Sequence, residues 1–195
     1  MPTEAIAATL RVTQVLGALQ IPYFIGGSMA STSYGRVRAT MDVDIIADLM
    51  PEQVEPLADS LSDEYYVDPQ MIHSAIIHQS SFNLIHLTTM FKVDIFIAGD
   101  EPFAHQQLAR RRLRTLEPPD QDAYVASPED VILAKLAWYR QGGEVSERQW
   151  QDIQGIFDIQ GNGLDQEYMS QWAALLEIAD LLDRAIQEYS ARKPG

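Results

Sequence analysis

Between Glu4 and Leu19, apolar residues fall at Ile6, Leu10, Val15 and Leu19, close to a 3.6-residue period. The spacing predicts an amphipathic helix over 4–19, which Pro22 stops. Tyr23-Phe24-Ile25 reads as a short strand running into Gly26-Gly27-Ser28, with Ser28 placed to cap a helix through Tyr34 that Gly35 closes. The period changes to two at DVDIIA, residues 42–47, where carboxylates alternate with Val43 and Ile45. Pro51 opens a helix carrying Val54, Leu57, Ala58 and Leu61 on one side, and 69–78 predicts another short helix. Alternation returns over 81–87 and 91–97, a predicted hairpin joined by Thr88-Thr89-Met90.

The second half has a different character. A helix is predicted over 101–112 and an extended piece over 114–116, leading to Pro118-Pro119. Ser127-Pro128-Glu129-Asp130 then combines a cap, a proline at the first helical position and acids that complement the dipole. Helices follow over 128–141, 146–160, 165–177 and 178–190, broken by Gly142-Gly143 and Gly161-Asn162-Gly163. The predicted fold class is α+β: a domain of strands and helices over 1–117, then a small helical domain over 118–195.

Composition narrows the function classes. Hydrophobic residues make up 46% of the 195 positions, as in ordinary globular chains. A formal net charge of −14 disfavours a protein that coats nucleic acid or an anionic membrane, since both need a cationic face. The absence of cysteine removes disulfides and thiolate chemistry and fits a reducing cytoplasm. The first residues lack the basic and apolar pattern of a signal peptide, and no apolar run reaches membrane-spanning length. His73, His78, His86 and His105 show no metal-ligand spacing.

The candidate chemistry is carboxylate chemistry. Asp42 and Asp44 leave the same face of one predicted strand, and Asp94 sits in KVDIF between Val93 and Ile95, which point the other way. If the two strands pair, three like charges converge, and a divalent cation relieves their repulsion. Hard oxygen donors suit Mg2+ or Mn2+, and two such ions can clamp attacking and leaving oxygens in phosphoryl-type transfer. Just upstream, Gly26, Gly27 and Ser28 offer close backbone approach, free N–H groups and a hydroxyl to a phosphate. Arg110, Arg111, Arg112 and Arg114 form the only dense cationic cluster, a candidate contact for a phosphodiester acceptor or simply a solvated helix end.

In this order and spacing the residues resemble the nucleotidyltransferase superfamily with the DNA polymerase beta-type palm. The resembling stretches are Gly27-Ser28, Asp42-Val43-Asp44 and Asp94. The context YFIGGSMAS, with Arg38 and Thr40 ahead of Asp42, is most similar to a bacterial branch of AbiEii-type toxin nucleotidyltransferases. SPEDVILAKLAWYRQ resembles that branch's lysine-bearing helix, here with Lys135, and Arg148 and Asp152 resemble a second motif, although Gln151 stands where the branch would place arginine. The resemblance implies that Asp42, Asp44 and Asp94 are catalytic metal ligands, and that Gly26, Gly27, Ser28, Arg38 and Lys135 bind nucleotide. For 1–117 it implies a mixed sheet with flanking helices. It implies a nucleoside triphosphate substrate, an RNA or tRNA acceptor and an antitoxin partner; with an RNA acceptor, the cationic cluster makes Arg110, Arg111 and Arg114 the candidate contacts. A small-molecule, antibiotic-type adenylyltransferase and a silent interaction module are the alternatives. Without the resemblance, Lys135 reads as a lysine whose stem covers core, and Asp152 as an acid supporting the helical half.

Overall fold

In the computed structural model, residues 3–36, 42–117, 119 and 121–192 are described. The described residues divide into two compact units: 3–29 with 42–126, and 30–36 with 127–192.

The first unit is a seven-stranded mixed sheet with helices. Its elements are helix α1 (Thr3–Ala18), strand β1 (Tyr23–Ile25), the start of α2 (Gly27–Tyr34), β2 (Asp42–Ala47), α3 (Val54–Leu61), β3 (Tyr65–Tyr66), α4 (Pro69–Ile77), β4 (Ser81–His86), β5 (Lys92–Ile97), α5 (Pro102–Arg110), β6 (Arg112–Glu117) and β7 (Gln121–Val125). The strand order is β3-β4-β5-β2-β1-β7-β6. β1 runs antiparallel to β2 and parallel to β7, β2 and β5 are parallel, and β4–β5 and β6–β7 are antiparallel hairpins.

Alternation decides the two faces. Val43, Ile45 and Ala47 of β2, Val93 and Ile95 of β5, and Phe82 and Leu84 of β4 are all buried, and in register they share one face. α3 packs against both α1 and α4, α1 against β7, and α4 against β4 and β5. Tyr65 ties the layers by donating its hydroxyl to the Ala8 carbonyl at 2.6 Å. The residues between the buried positions belong to the opposite face, and the carboxylates lie there.

The structure departs from the sequence expectations in several places, among them β3 at Tyr65–Tyr66, which no expected element covered, and α2, which begins at Gly27 and so holds Ser28 inside the helix and not at its cap. Helix α5 ends at Arg110 rather than Arg112, because Arg112 already pairs with Val125 in the β6–β7 hairpin. Gln121–Val125, assigned no element in the sequence reading, is a strand beside β1, so the sheet unit runs on to residue 126. The helical unit also takes in 30–36 from early in the chain, where the Gln160 amide donates to the Tyr34 carbonyl at 3.0 Å.

In the second unit, α6 (Pro128–Gln141), α7 (Glu147–Gln160), α8 (Gln166–Leu175) and α9 (Ala179–Arg192) enclose Ile132, Leu133, Leu136, Ile153, Ile156, Met169, Leu181 and Leu182. The acids that open α6 do more than complement its dipole. Asp130 is fully buried; it accepts the Ser127 hydroxyl at 2.7 Å and the Tyr168 hydroxyl at 2.5 Å. Glu129, also buried, accepts the Asp165 backbone N–H at 3.3 Å. A buried carboxylate holds its charge only where donors replace water. Tyr168→Phe, which removes one of these donors and no volume, is therefore expected to lower unfolding stability by about 1–3 kcal/mol in chemical denaturation.

Candidate active site

The register of β2 and β5 assembles the site. Asp44 pairs with Asp94 and Asp42 with Lys92 across the two parallel strands, so Asp44 and Asp94 stand on one face at the strand spacing of about 4.8 Å. Asp42 follows on the same face, about 7 Å along β2. On the far side of β5, Asn83 of β4 lies beside Asp94. All four are partly buried.

The turn from β1 into α2 closes the other side. The Gly26 N–H donates to the Asp44 carbonyl at 2.8 Å, continuing the β1–β2 pairing by one residue. Gly27 has φ +52, in the left-handed region, and a Cβ there would stand 1.7 Å from Asp44 Oδ2. Only glycine lets the turn lie against this carboxylate. Ser28 follows at the second position of α2. Gly26 and Gly27 are therefore brought to Asp44, with Ser28 next along the chain, and Asp42, Asp44 and Asp94 are brought to one face.

Lys92, which the sequence reading passed over, shares this face. Its Nζ lies 2.7 Å from Asp94 Oδ2, with the lysine side chain 44% and the aspartate 18% exposed. The hydrogen bond to Asp94 raises the Lys92 pKa above its ordinary value; desolvation opposes it, and the charges of Asp94, Asp42 and Asp44 push the same way as the hydrogen bond. The signal was present in KVDIF: a lysine two residues before an aspartate on a strand shares its face. Asn83 was legible by the same alternation in SFNLIH.

The donor set suits a hard divalent cation, since carboxylate oxygens meet on adjacent strands. As the side chains stand, no three His, Cys, Asp or Glu residues among the described ones are grouped to hold a metal ion. Asp94 is bonded to Lys92 instead.

Two other expected site regions lie elsewhere. Counting register from Ile45 through Ile25 and Val125 to Arg112 puts Arg112 and Arg114 on the face of Val43 and Ile45, opposite the carboxylates. β6 is also the sheet edge, three strand spacings or about 14 Å from β2. Arg111 lies over the Tyr124 ring, 4.6 Å from its centre, and donates to the Leu108 carbonyl. Arg114 therefore lies on the sheet face opposite the carboxylates, and Arg111 is engaged by its own neighbours. Arg38 falls in 37–41, outside the described residues.

Lys135 belongs to the helical unit. It is 8% exposed, and its Nζ bonds Asp152 Oδ2 at 2.9 Å. Asp152 lines a half-open cavity of about 480 Å3 within that unit, together with Arg36, Asp158, Glu188 and Arg192. These charges are mutually compensated: Asp158 receives both arginines, at 3.3 and 3.0 Å. The Trp150 indole N–H, donating at 2.7 Å, holds the Glu188 carboxyl below its ordinary pKa, assisted by Arg184.

The seven-stranded mixed sheet with its flanking helices matches solved nucleotidyltransferase structures at the level of fold. An antigenic nucleotidyltransferase-like protein from Paracoccidioides brasiliensis superposes with a TM-score of 0.57 at 19% identity, over 95% of this chain and 93% of that one. ANT(2")-Ia in complex with adenylyl-2"-tobramycin gives 0.56 at 14% identity, over 90% and 98%. The lincosamide antibiotic adenylyltransferase LnuA, lincomycin-bound, gives 0.53 at 13%, over 82% and 98%. No family model matches the sequence, and no curated protein matches it.

Proposed function

We propose that this chain is an enzyme of the nucleotidyltransferase superfamily, moving a nucleoside monophosphate from a nucleoside triphosphate to an acceptor hydroxyl. The observation that carries the reading is the side-by-side placement of Asp44 and Asp94, with Asp42 on the same face and the Gly27 turn laid against Asp44. Asp42, Asp44 and Asp94 would hold divalent metal, Mg2+ or Mn2+ and in this reading two ions. When bound, the metal supplies charge neutralisation of the triphosphate and of the attacking oxygen.

The chain's own groups do the rest. The turn at Gly26, Gly27 and Ser28 binds the β- and γ-phosphates through backbone N–H groups and a hydroxyl. Asp94 accepts the proton of the acceptor hydroxyl as the bond from that oxygen to the α-phosphorus forms. The α–β bridging bond breaks in line, and pyrophosphate leaves. Lys135 and Arg38 are the further nucleotide ligands that the sequence resemblance implies.

For the acceptor, a small hydroxylated molecule is favoured over RNA. Two of the fold neighbours carry antibiotic ligands, and the arginine strand that would have served RNA faces away from the carboxylates. The toxin-like reading, with an RNA acceptor and an antitoxin partner, retains the motifs around Lys135 and Asp152. Among the described residues no helix is long and apolar enough to cross a membrane.

The test is titration of the protein with each of the four nucleoside triphosphates and Mg2+, followed by transfer of α-labelled nucleotide to a panel of hydroxylated antibiotics and to total RNA. Triphosphate binding with label on an antibiotic is the expected result. Label on RNA selects the toxin-like reading, and absence of triphosphate binding overturns the enzyme in favour of an interaction module.

A further inference from the structure

We propose that Lys92 is the resident cation of the carboxylate face: its ammonium holds Asp94 until a divalent cation displaces it, so metal entry and lysine release are one exchange. The inference rests on the nucleotidyltransferase reading of Asp42, Asp44 and Asp94 and adds to it a positioning residue.

The argument begins with register. Lys92 lies beside Asp42 across the strand pair and two residues before Asp94 on its own strand, so its side chain starts from the carboxylate face. It turns along β5 to Asp94, at 2.7 Å, rather than out into water. A single positive charge there answers part of the repulsion among three acids. It also accounts for the side-chain arrangement, in which Asp94 is bonded to lysine and, among the described residues, no three acids are grouped around a common point.

The hold is suited to exchange. The lysine side chain is 44% exposed, and half-exposed ion pairs are weak because water screens them and the long side chain loses rotamer freedom. A divalent ion brings twice the charge in a compact form to the same oxygens. Once Asp94 turns toward it, Lys92 has room to swing into solvent on its four-carbon stem. The lysine therefore stabilises the metal-free protein and weakens binding of free metal, which makes the site selective for metal delivered together with a polyanionic nucleotide.

The experiment measures Mn2+ binding without nucleotide, by electron paramagnetic resonance of the free ion, together with melting temperature, for wild type, Lys92→Met, Lys92→Arg and Asp44→Asn. Removing one positive charge a few ångströms from the ion should tighten Mn2+ binding by about tenfold or more in Lys92→Met. The same variant should melt lower than wild type in chelator and recover in Mn2+. Lys92→Arg keeps the charge and should bind Mn2+ as wild type does, which separates charge from packing. Mn2+ binding that Asp44→Asn abolishes but Lys92→Met leaves unchanged or weakens overturns the exchange and leaves the enzyme reading standing. Absence of Mn2+ binding in wild type and Lys92→Met alike overturns the exchange, while the enzyme reading stands or falls separately on triphosphate binding with Mg2+.

Discussion

Asp44→Asn is expected to abolish nucleotide transfer while the protein still folds. Asp44 is the residue on which the site converges: Asp94 stands beside it on β5, Asp42 lies along its own strand, and the Gly27 turn rests against its carboxylate. An amide keeps the shape of the side chain and removes the charge a metal ligand needs. Metal stabilisation of a phosphoryl-type transition state contributes several kcal/mol, and about 4 kcal/mol corresponds to a rate loss of about 10³-fold. The core is carried by the other face, by Val43 and Ile45, so the melting temperature should stay within a few degrees of wild type. Single-turnover transfer and thermal melting of the same preparations check this. Loss of folding in step with activity would mark Asp44 as a structural acid.

Gly27→Ala should damage both stability and transfer. The left-handed conformation costs a non-glycine residue roughly 1–2 kcal/mol. The added Cβ would also stand 1.7 Å from Asp44 Oδ2, so either the turn or the carboxylate must move. Gly143→Ala supplies the comparison, since Gly143 has φ +73 but nothing within 4 Å of its would-be Cβ. Both variants carry the backbone cost; only Gly27→Ala displaces a site carboxylate. Destabilisation of Gly27→Ala at least as large as that of Gly143→Ala, with transfer lost in Gly27→Ala alone, is the expected result. Equal activity would show that the turn does not position Asp44.

The contrast between what was legible and what was not follows from the range of the interactions involved. Asp42, Asp44 and Asp94 could be read because each interrupts a period-two apolar pattern, a property of six consecutive residues. Their meeting depends on β2 pairing with β5 in parallel, and nothing local encodes which strands become neighbours. The arginine cluster shows the same limit. Arg110, Arg111, Arg112 and Arg114 are dense in sequence, yet helix α5 ends among them and β6 begins, so chain proximity does not become one surface. β7 escaped the sequence reading because only Ala123 and Val125 of its residues are buried, too short an alternation to stand out after Pro118-Pro119. Lys135 was legible as a lysine on an apolar helix, whereas Asp152, its partner from α7, is supplied by helix pairing.

The segment 30–36 has a consequence for how the protein is made. It belongs to the helical unit but leaves the ribosome early, whereas Gln160, which closes onto Tyr34, follows 126 residues later. Gly35 packs against the backbone of Gly155 and Ile156, so this part of the helical core also lacks its complement until α7 has emerged. Domains completed from one continuous stretch can fold as that stretch appears, but this unit has to wait for a long-range closure. Throughout that interval a strip of buried surface, including Ala30 and Tyr34, is uncovered in the nascent chain. Chains whose synthesis stops after the sheet would retain that strip permanently, which marks them as substrates for chaperones and proteases rather than as stable halves of the protein.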